Sequence, residues 1–212
     1  MKSIYIFLTL MISITHFSQS KAGRDQLLAR LKTAKEDSNK VNILIAIGKS
    51  YEEENKTTAE KYYLLAGTLG KKIGYTNGMQ DFYAFYLDLY AHQGKPESAL
   101  PIAKEAVAWF RENKDSLGLA KAIMNIGTVY LQAGDYENAA ANFEKGRALF
   151  AKLGNTFFEG QIYDRMQLLA TDMHQYKKGV EYGLKAVRKL ENQNRPQPLS
   201  YAYHNLAYNL SL

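Results

Sequence analysis

The chain has 212 residues, 46% hydrophobic and 23% charged, which is the ordinary composition of a folded globular protein. It contains no cysteine, which excludes a disulfide framework, a thiolate metal site and a cysteine nucleophile. The formal charge of +6 comes from lysines and arginines spread through every segment. This distribution favours an ordinary solvated surface over a stripe that binds nucleic acid.

The first 20 residues have the features of a secretory signal peptide. Lys2 is followed by a mostly apolar run over residues 4–17, and the small residues Ser18 and Ser20 suit a cleavage site. The run is too short for a comfortable membrane span. The sequence therefore predicts export to the periplasm or cell envelope, with a mature chain that begins near Lys21. The alternatives are a buried N-terminal helix and an uncleaved membrane anchor.

Residues 21–38 are predicted to form an N-terminal capping helix. Leu27, Leu28 and Leu31 lie on one face of it at helical spacing. No partner helix precedes it, which is typical of a segment that covers the open end of a helical array.

Four helical hairpins and the start of a fifth follow. The third is the clearest, because apolar and small residues recur at helical spacing on both sides of a short turn. Within that turn, Gly134 predicts a left-handed cap for the first helix and Asp135 an N-cap for the second. The predicted hairpins cover about residues 39–76, 77–115, 116–155, 156–196 and, in part, 197–212.

The hairpins share one register of small and aromatic residues. Positions 59, 99, 139 and 179 are each 40 residues apart, and so are positions 66, 106, 146 and 186. Unrelated hairpins would not keep this step, so the sequence predicts a repeat protein. The predicted structural positions are Gly48, Tyr51, Ala59, Ala66, Leu87, Tyr90, Ala99, Ala106, Gly127, Tyr130, Ala139, Phe143, Gly146, Gly179, Ala186 and Ala207.

The third hairpin resembles a tetratricopeptide repeat. It reads I-x2-I-G-x2-Y from Ile123 and A-x3-F from Ala139, against the family pattern W-x2-L-G-x2-Y, then A-x3-F, then Pro. Ile123 replaces the Trp, no Pro closes the unit, and the step exceeds the family's usual step of about 34 residues. The chain is similar to a long-unit variety, as in exported repeat regions of bacterial sensors and regulators. The resemblance implies an all-α, right-handed α-solenoid of helix-turn-helix repeats over residues 39–212.

Three local features of the repeats carry their own expectations. Asn55 is predicted to adopt the left-handed conformation that Gly takes in other turns. Pro101 falls inside a helical pattern, where a kink or a lost hydrogen bond is expected. The turn at residues 174–176 lacks glycine, which makes the 156–196 hairpin the least typical unit.

In tetratricopeptide arrays the first helices line a concave groove. The resemblance therefore implies a groove of mixed charge that suits an extended peptide or a helix. Lys121 and Asn125 are a fragment of the Lys, Asn and Arg clamp with which some members hold a peptide carboxylate; the rest is missing, so we interpret the match as coincidental. The implied groove residues are Asn42, Lys49, Asp81, Asp88, His92, Lys121, Met124, Gln132, Asp164, Asp172, Tyr201, His204 and Tyr208.

No pattern in the sequence indicates a metal, a cofactor or a catalytic site. Asp88 and His92 are four residues apart, a spacing that metal ligands use, but a third ligand and an H-E-x-x-H motif are missing. A solvated charge pair is the favoured interpretation. Tyr203 lies on the predicted packing face of the last helix, with Leu206, Ala207 and Leu210, so base stacking by the tyrosines of this helix is disfavoured.

The predicted function is a non-catalytic scaffold of the bacterial envelope that binds a protein or peptide through its groove. The alternative is the sensory region of a longer signalling protein with a histidine kinase or DNA-binding domain. In that case more repeats, a membrane span and an output domain would follow Leu212. A free-standing enzyme is disfavoured because no catalytic constellation is present.

Overall fold

The structure is a computed structural model that describes residues 21–91 and 96–212, and all regular structure in those residues is helical. The predicted all-α fold class is confirmed. The predicted signal segment lies outside the described residues. The ten helices of the described part are α1 (Lys21–Thr33), α2 (Ser38–Tyr51), α3 (Lys56–Ile73), α4 (Thr76–Ala91), α5 (Pro96–Glu112), α6 (Ser116–Gln132), α7 (Tyr136–Lys152), α8 (Thr156–Asp172), α9 (Tyr176–Leu190) and α10 (Pro196–Leu210).

From α5 to α10, the turns between helices recur every 20 residues. Among the described residues a positive φ occurs at position 74, after α3, and then at positions 114, 134, 154, 174 and 194, after helices α5 to α9. Gly134, at φ 75°, is the left-handed cap that the sequence predicts, and His174 takes the same conformation at φ 57° without being glycine. In this part of the chain the 40-residue repeat therefore consists of two halves of 20 residues, compared with about 34 residues for the usual whole unit.

In three turns the residue after the left-handed position is an N-cap whose side chain accepts a hydrogen bond, at Asp115, Asp135 and Asn155. Asp135 accepts a hydrogen bond from the backbone N–H of Asn138 at 3.2 Å, as the sequence predicts, and Asp115 accepts one from Gly118 at 2.8 Å. Such caps satisfy backbone donors that have no partner inside the helix. Asn55 is of this kind: its φ is −153° and its side chain caps α3, so the left-handed conformation predicted for it is wrong.

The helices form two compact units, one up to Leu89 and one from Tyr90. In the first unit, Arg24 holds α1 to the end of α2. Its guanidinium lies 2.6 Å from the Glu54 carboxylate and 4.2 Å from the centre of the Tyr51 ring. Close helix approach is possible because Gly48 leaves room for the ring of Tyr63, which a Cβ would contact at 2.7 Å.

The second unit stacks its helices in chain order. Each helix from α5 to α9 packs on the next, and the first helices of successive repeats, α6, α8 and α10, also contact one another in sequence. Phe143 and Phe150 of α7 are fully buried between α6 and α8. Helix α5 runs through Pro101 without interruption.

Most predicted structural positions are buried, and the tyrosines at positions 51, 90 and 130 are half-buried. The predicted face of the last helix needs a correction. Helix α10 packs through Ala202, Leu206 and Asn209, whereas Tyr203 and Leu210 are 51% and 67% exposed and Ala207 is exposed as well. The residues that pack recur at i, i+4 and i+7. Each of them lies one position before a residue of the predicted packing face, namely Tyr203, Ala207 and Leu210.

Candidate functional site

The predicted groove residues differ in their exposure. Nine of them are exposed, and Lys121 is half-buried with its ammonium 4.6 Å from the centre of the Phe158 ring. Met124, which was predicted to line the groove, is buried in the core with Ile162 and Phe143. His92 lies outside the described residues. The nine exposed residues are Asn42, Lys49, Asp81, Asp88, Gln132, Asp172, Tyr201, His204 and Tyr208.

Two predicted groove residues, Asp164 and Tyr201, meet at one cavity of the second unit. It has a volume of about 230 Å³ and lies between the first helices α8 and α10. Leu190 of α9 contributes the apolar part of its wall. The polar lining comes from Gln161, Asp164 and Arg165 of α8 and from Gln197 and Tyr201 of α10, with Pro198 beside them.

The turns before α8 and α10 place these side chains. Asn155 caps α8 by accepting a hydrogen bond from the N–H of Phe158 at 3.1 Å, which fixes the helix start two turns before Asp164. Helix α10 begins at Pro196, whose ring suits the first helical position. Gln197, the next residue, donates a hydrogen bond to the hydroxyl of Tyr201, one turn further along the helix, at 3.2 Å.

Asp164 is the buried charge of the cavity, with only 9% of its surface exposed. Asn205 Nδ2 donates a hydrogen bond to its Oδ1 at 2.9 Å. Burial raises the pKa of the Asp164 carboxyl, and the hydrogen bond from Asn205 and the charge of Arg165 only partly oppose this effect. Arg165 lines the same cavity without forming an ion pair with Asp164 among the contacts of the described residues.

A chain of buried polar groups continues from Asp164 behind the cavity. Asn209, 3% exposed, donates to the backbone carbonyl of Asn205 at 3.0 Å and is hydrogen-bonded to the Thr171 hydroxyl at 3.0 Å. Gly179 of α9 makes room for it, because a Cβ there would lie 2.3 Å from Asn209 Oδ1. The chain fixes the position of α10 on α8, and so holds the two polar walls of the cavity in place.

Gln167 is the unusual member of this interface. It is fully buried, and neither its amide nitrogen nor its amide oxygen has a hydrogen-bond partner among the described residues. It stands 40 residues after Gly127, where the preceding repeat has glycine. Gly183 leaves room for the larger side chain of Gln167, because a Cβ at Gly183 would lie 2.5 Å from Gln167 Oε1. In the preceding repeat the sizes are reversed: Phe143, 40 residues before Gly183, fills the space beside Gly127.

The described residues hold no group of three or more His, Asp or Glu side chains placed to bind a metal ion. Within the same residues, none of the helices is both long enough and apolar enough to cross a bilayer.

Residues 88–152 match the family model of the tetratricopeptide repeat. This segment consists of tetratricopeptide repeats. The match covers the third predicted hairpin, whose motif carries the resemblance in the sequence. Comparison with curated protein sequences finds no match.

Solved structures extend the likeness over most of the chain. BtubC from P. vanneervenii has a TM-score of 0.71 at 16% identity, covering 90% of this chain and 81% of BtubC. A signal transduction ATPase with numerous domains from Pyrococcus horikoshii, which has a tetratricopeptide repeat sensor, gives 0.67 at 20% identity over 86% of this chain. A Rap protein complexed with competence and sporulation factor gives 0.56 at 14% identity over 94%.

These identities show the fold alone. The chain spans 28% of the length of the ATPase and 62% of that of the Rap protein, so the activities of those longer proteins do not transfer with the fold.

The tetratricopeptide register could have revealed the polar interface before the structure. Asn209 stands 40 residues after Leu169 and Gln167 stands 40 after Gly127, so amides replace apolar or small residues at packing positions. The residues predicted from the sequence do not include Arg165, Gln197, Asn205 and Asn209. Asp164 and Tyr201 are among the predicted groove residues, but no pattern places them together, because they come from different repeats.

Proposed function

We propose that this chain is a non-catalytic scaffold of the bacterial cell envelope that binds a protein or peptide. It binds through the surface formed by the first helices α6, α8 and α10. The observation that carries the proposal is the cavity that the buried Asp164 of one repeat and the exposed Tyr201 of the next both line. Tyrosine is enriched among the residues that contribute most of the binding free energy at protein interfaces.

The fold supports this proposal. Tetratricopeptide repeats present an extended surface of paired helices and are typical interaction modules. One structural neighbour, the Rap protein, is complexed with a factor. In the described residues the buried polar side chains of Asp164, Gln167 and Asn209 lie at the interface between the last two repeats, and no nucleophile with an adjacent base accompanies them, which favours binding over catalysis.

Site-specific photo-crosslinking tests the binding surface. A photoreactive amino acid replaces His204, which is exposed on α10, or Lys145, which is exposed on α7 and serves as the matched control. We expect a discrete adduct in cells from position 204 and none from position 145. Adducts from position 145 alone, or from neither position, would contradict binding through the first helices.

The proposed location in the envelope rests on the signal-like segment of residues 1–20. Export would remove this segment and leave a chain that begins near Lys21. N-terminal sequencing of the protein from an envelope fraction checks this. A cytoplasmic protein that keeps Met1 contradicts export, and a membrane-bound protein that keeps the segment indicates an uncleaved anchor.

The second candidate function is the sensory region of a longer signal-transduction protein. The observation that favours it is the similarity to the ATPase whose tetratricopeptide repeats act as a sensor. Under this proposal, a membrane span and a kinase or DNA-binding domain are encoded after Leu212. Sequencing of the gene beyond that codon decides between the two candidates, because a stop codon there excludes the sensor.

A further inference from the structure

The Asp164 carboxylate has fewer partners than a buried charge requires. Only Asn205 donates a hydrogen bond to it among the contacts of the described residues, and that bond uses Oδ1. An ionised carboxylate has room for about four hydrogen bonds, and a buried one is strongly destabilised without a counter-ion. Its surroundings therefore favour the arrival of a cation from outside the chain.

The size of the cavity limits what that cation can be. Its volume of about 230 Å³ is below the range of about 300–1,000 Å³ that is typical of small-molecule sites. One amino-acid side chain or one chain terminus fits such a space, whereas a nucleotide or another large cofactor does not. Tyr201, 57% exposed, adds an aromatic surface on which a cationic group can stack.

We propose that the cavity between α8 and α10 receives a cationic group of a bound peptide, with Asp164 as its counter-ion. The inference rests on the proposed function and names the chemistry that the bound peptide must have at this position. The cation is an Arg or Lys side chain or the N-terminal ammonium of the peptide. All three offer several N–H donors to a carboxylate and to the amide oxygens of Gln161 and Gln197.

The charged groups that face the cavity are compatible with this assignment. Helix α9 contributes only Leu190, and α10 contributes the neutral side chains of Gln197 and Tyr201. Arg165 is the one cation of the lining in the described residues, but its side chain is exposed. From this exposed position Arg165 would donate to a carbonyl of the peptide backbone while Asp164 holds the peptide cation.

Selection from a random heptapeptide display library on the purified chain tests the inference. We expect the selected peptides to carry Arg, Lys or a required free N-terminus at one fixed position. Asp164→Asn keeps the shape of the side chain and the hydrogen bond from Asn205 but removes the charge. It is expected to weaken binding of a selected synthetic peptide by about tenfold or more, the loss of one charge-assisted contact.

The control is Glu181→Gln, which removes an equal charge from an exposed position on α9. Acetylation of the peptide N-terminus and replacement of its Arg or Lys by the isosteric neutral residue distinguish the two sources of the cation. Affinity for the wild-type chain should also fall when the pH is lowered through the pKa of Asp164, and Asp164→Asn should lose that dependence.

The possible outcomes separate this inference from the proposed function. Selected peptides without a cation at a fixed position, or a cation preference that Asp164→Asn leaves unchanged, overturn the inference while peptide binding stands. A preference for acidic peptides that depends on Arg165 overturns it as well. If no peptide is enriched and no crosslinked partner is found at position 204, the proposed function itself fails.

Discussion

At the scale of single residues, the interface of α8, α9 and α10 places polar groups where hydrophobic ones would pack better. Asp164 is buried with one hydrogen bond, and Gln167 is buried with none among the described residues. Burial of such groups costs free energy of folding, because water no longer solvates them. Side chains that lower stability and also line a cavity are typical of binding sites rather than of structural cores.

Asp164→Asn should raise stability near neutral pH. Burial raises the pKa of the Asp164 carboxyl in the folded state above its value in the unfolded chain. The folded protein therefore loses stability as the pH rises through the folded-state pKa, because the buried carboxyl must then ionise. Neutralisation by Asn should therefore stabilise the fold, by roughly 1 kcal/mol, at about pH 7 and by much less at about pH 3. Urea denaturation at both pH values measures this. A variant less stable than wild type at neutral pH would show that Asp164 is a structural residue.

Gln167→Met should also stabilise the protein. Met has a similar length and no polar group, so the variant removes an amide that lacks partners and keeps the space beside Gly183 filled. The expected gain is about 1–3 kcal/mol, the cost of an unsatisfied buried polar group. Thermal or urea unfolding checks it, with Gln132→Met, at an exposed position of α6, as the control for composition. An unstable Gln167→Met variant would indicate that the amide is satisfied in solution.

Gly127→Leu tests the contact between α6 and α7. A Cβ at this position would lie 2.6 Å from the Phe143 ring and 3.3 Å from the carbonyl oxygen of Ala139. Overpacking of this kind should lower stability by about 1–3 kcal/mol or more. The double variant Gly127→Leu with Phe143→Ala should recover part of the lost stability. It places a large side chain on the first helix and a small one on the second, as Gln167 and Gly183 do in the next repeat. Unchanged urea unfolding of the single variant would show that the packing face is assigned wrongly.

At the level of elements, helices α5 to α9 have similar lengths, of 15 to 17 residues, because the turns after them are evenly spaced. A left-handed residue lies in the turn after each of these helices, every 20 positions between 114 and 194. Glycine occupies this position at 134 and 154, and Lys114, His174 and Asn194 take the same conformation although they carry a Cβ. Non-glycine residues in this conformation cost about 1–2 kcal/mol, with less for Asn.

Two opposite substitutions test the turns. Gly134→Ala should destabilise the chain by roughly 1 kcal/mol, because nothing but the backbone conformation opposes a Cβ there. His174→Gly should stabilise it by a smaller amount, since glycine also increases the entropy of the unfolded chain. Urea midpoints compare the two variants with wild type. Equal effects of the same sign would contradict the left-handed turn at one of these positions.

At the scale of the whole molecule, repeats contact mainly their neighbours in the chain, and each of the two units has its own core. Stability in such proteins is a sum over repeats and the interfaces between adjacent repeats. Damage at one interface should therefore remain local. A substitution in the second unit should not reduce the stability of the first to the same degree.

Hydrogen exchange of Gly127→Leu measures this locality. Backbone amides of α6, α7 and α8 should lose protection first, because α7 packs on both of the others. Amides of α2 and α3, in the first unit, should keep more of their protection. A uniform loss across all helices would show that the chain unfolds as a single cooperative block.

The all-α class, the tetratricopeptide register and the small residues at close helix contacts were predictable from the amino-acid sequence alone. Each of these is encoded locally, as apolar spacing within a helix or as a step of 40 residues between repeats. Gly134 and Asp135 were predictable for the same reason, since a turn depends on its own few residues. The register also shows that Gln167 and Gly183 stand where the preceding repeat has Gly127 and Phe143. It does not show that the Gln167 amide is buried without a hydrogen-bond partner among the described residues.

The packing face of α10 and the meeting point of the predicted groove residues depend on contacts between helices that are far apart in the chain. Helix α10 is amphipathic on two adjacent faces, so its spacing fits both Tyr203 and Ala202 as packing residues, and contact with α8 and α9 selects Ala202. The approach of Asp164 to Tyr201 depends on how one repeat rotates on the next. That rotation comes from many long-range contacts, which no local pattern in the chain records.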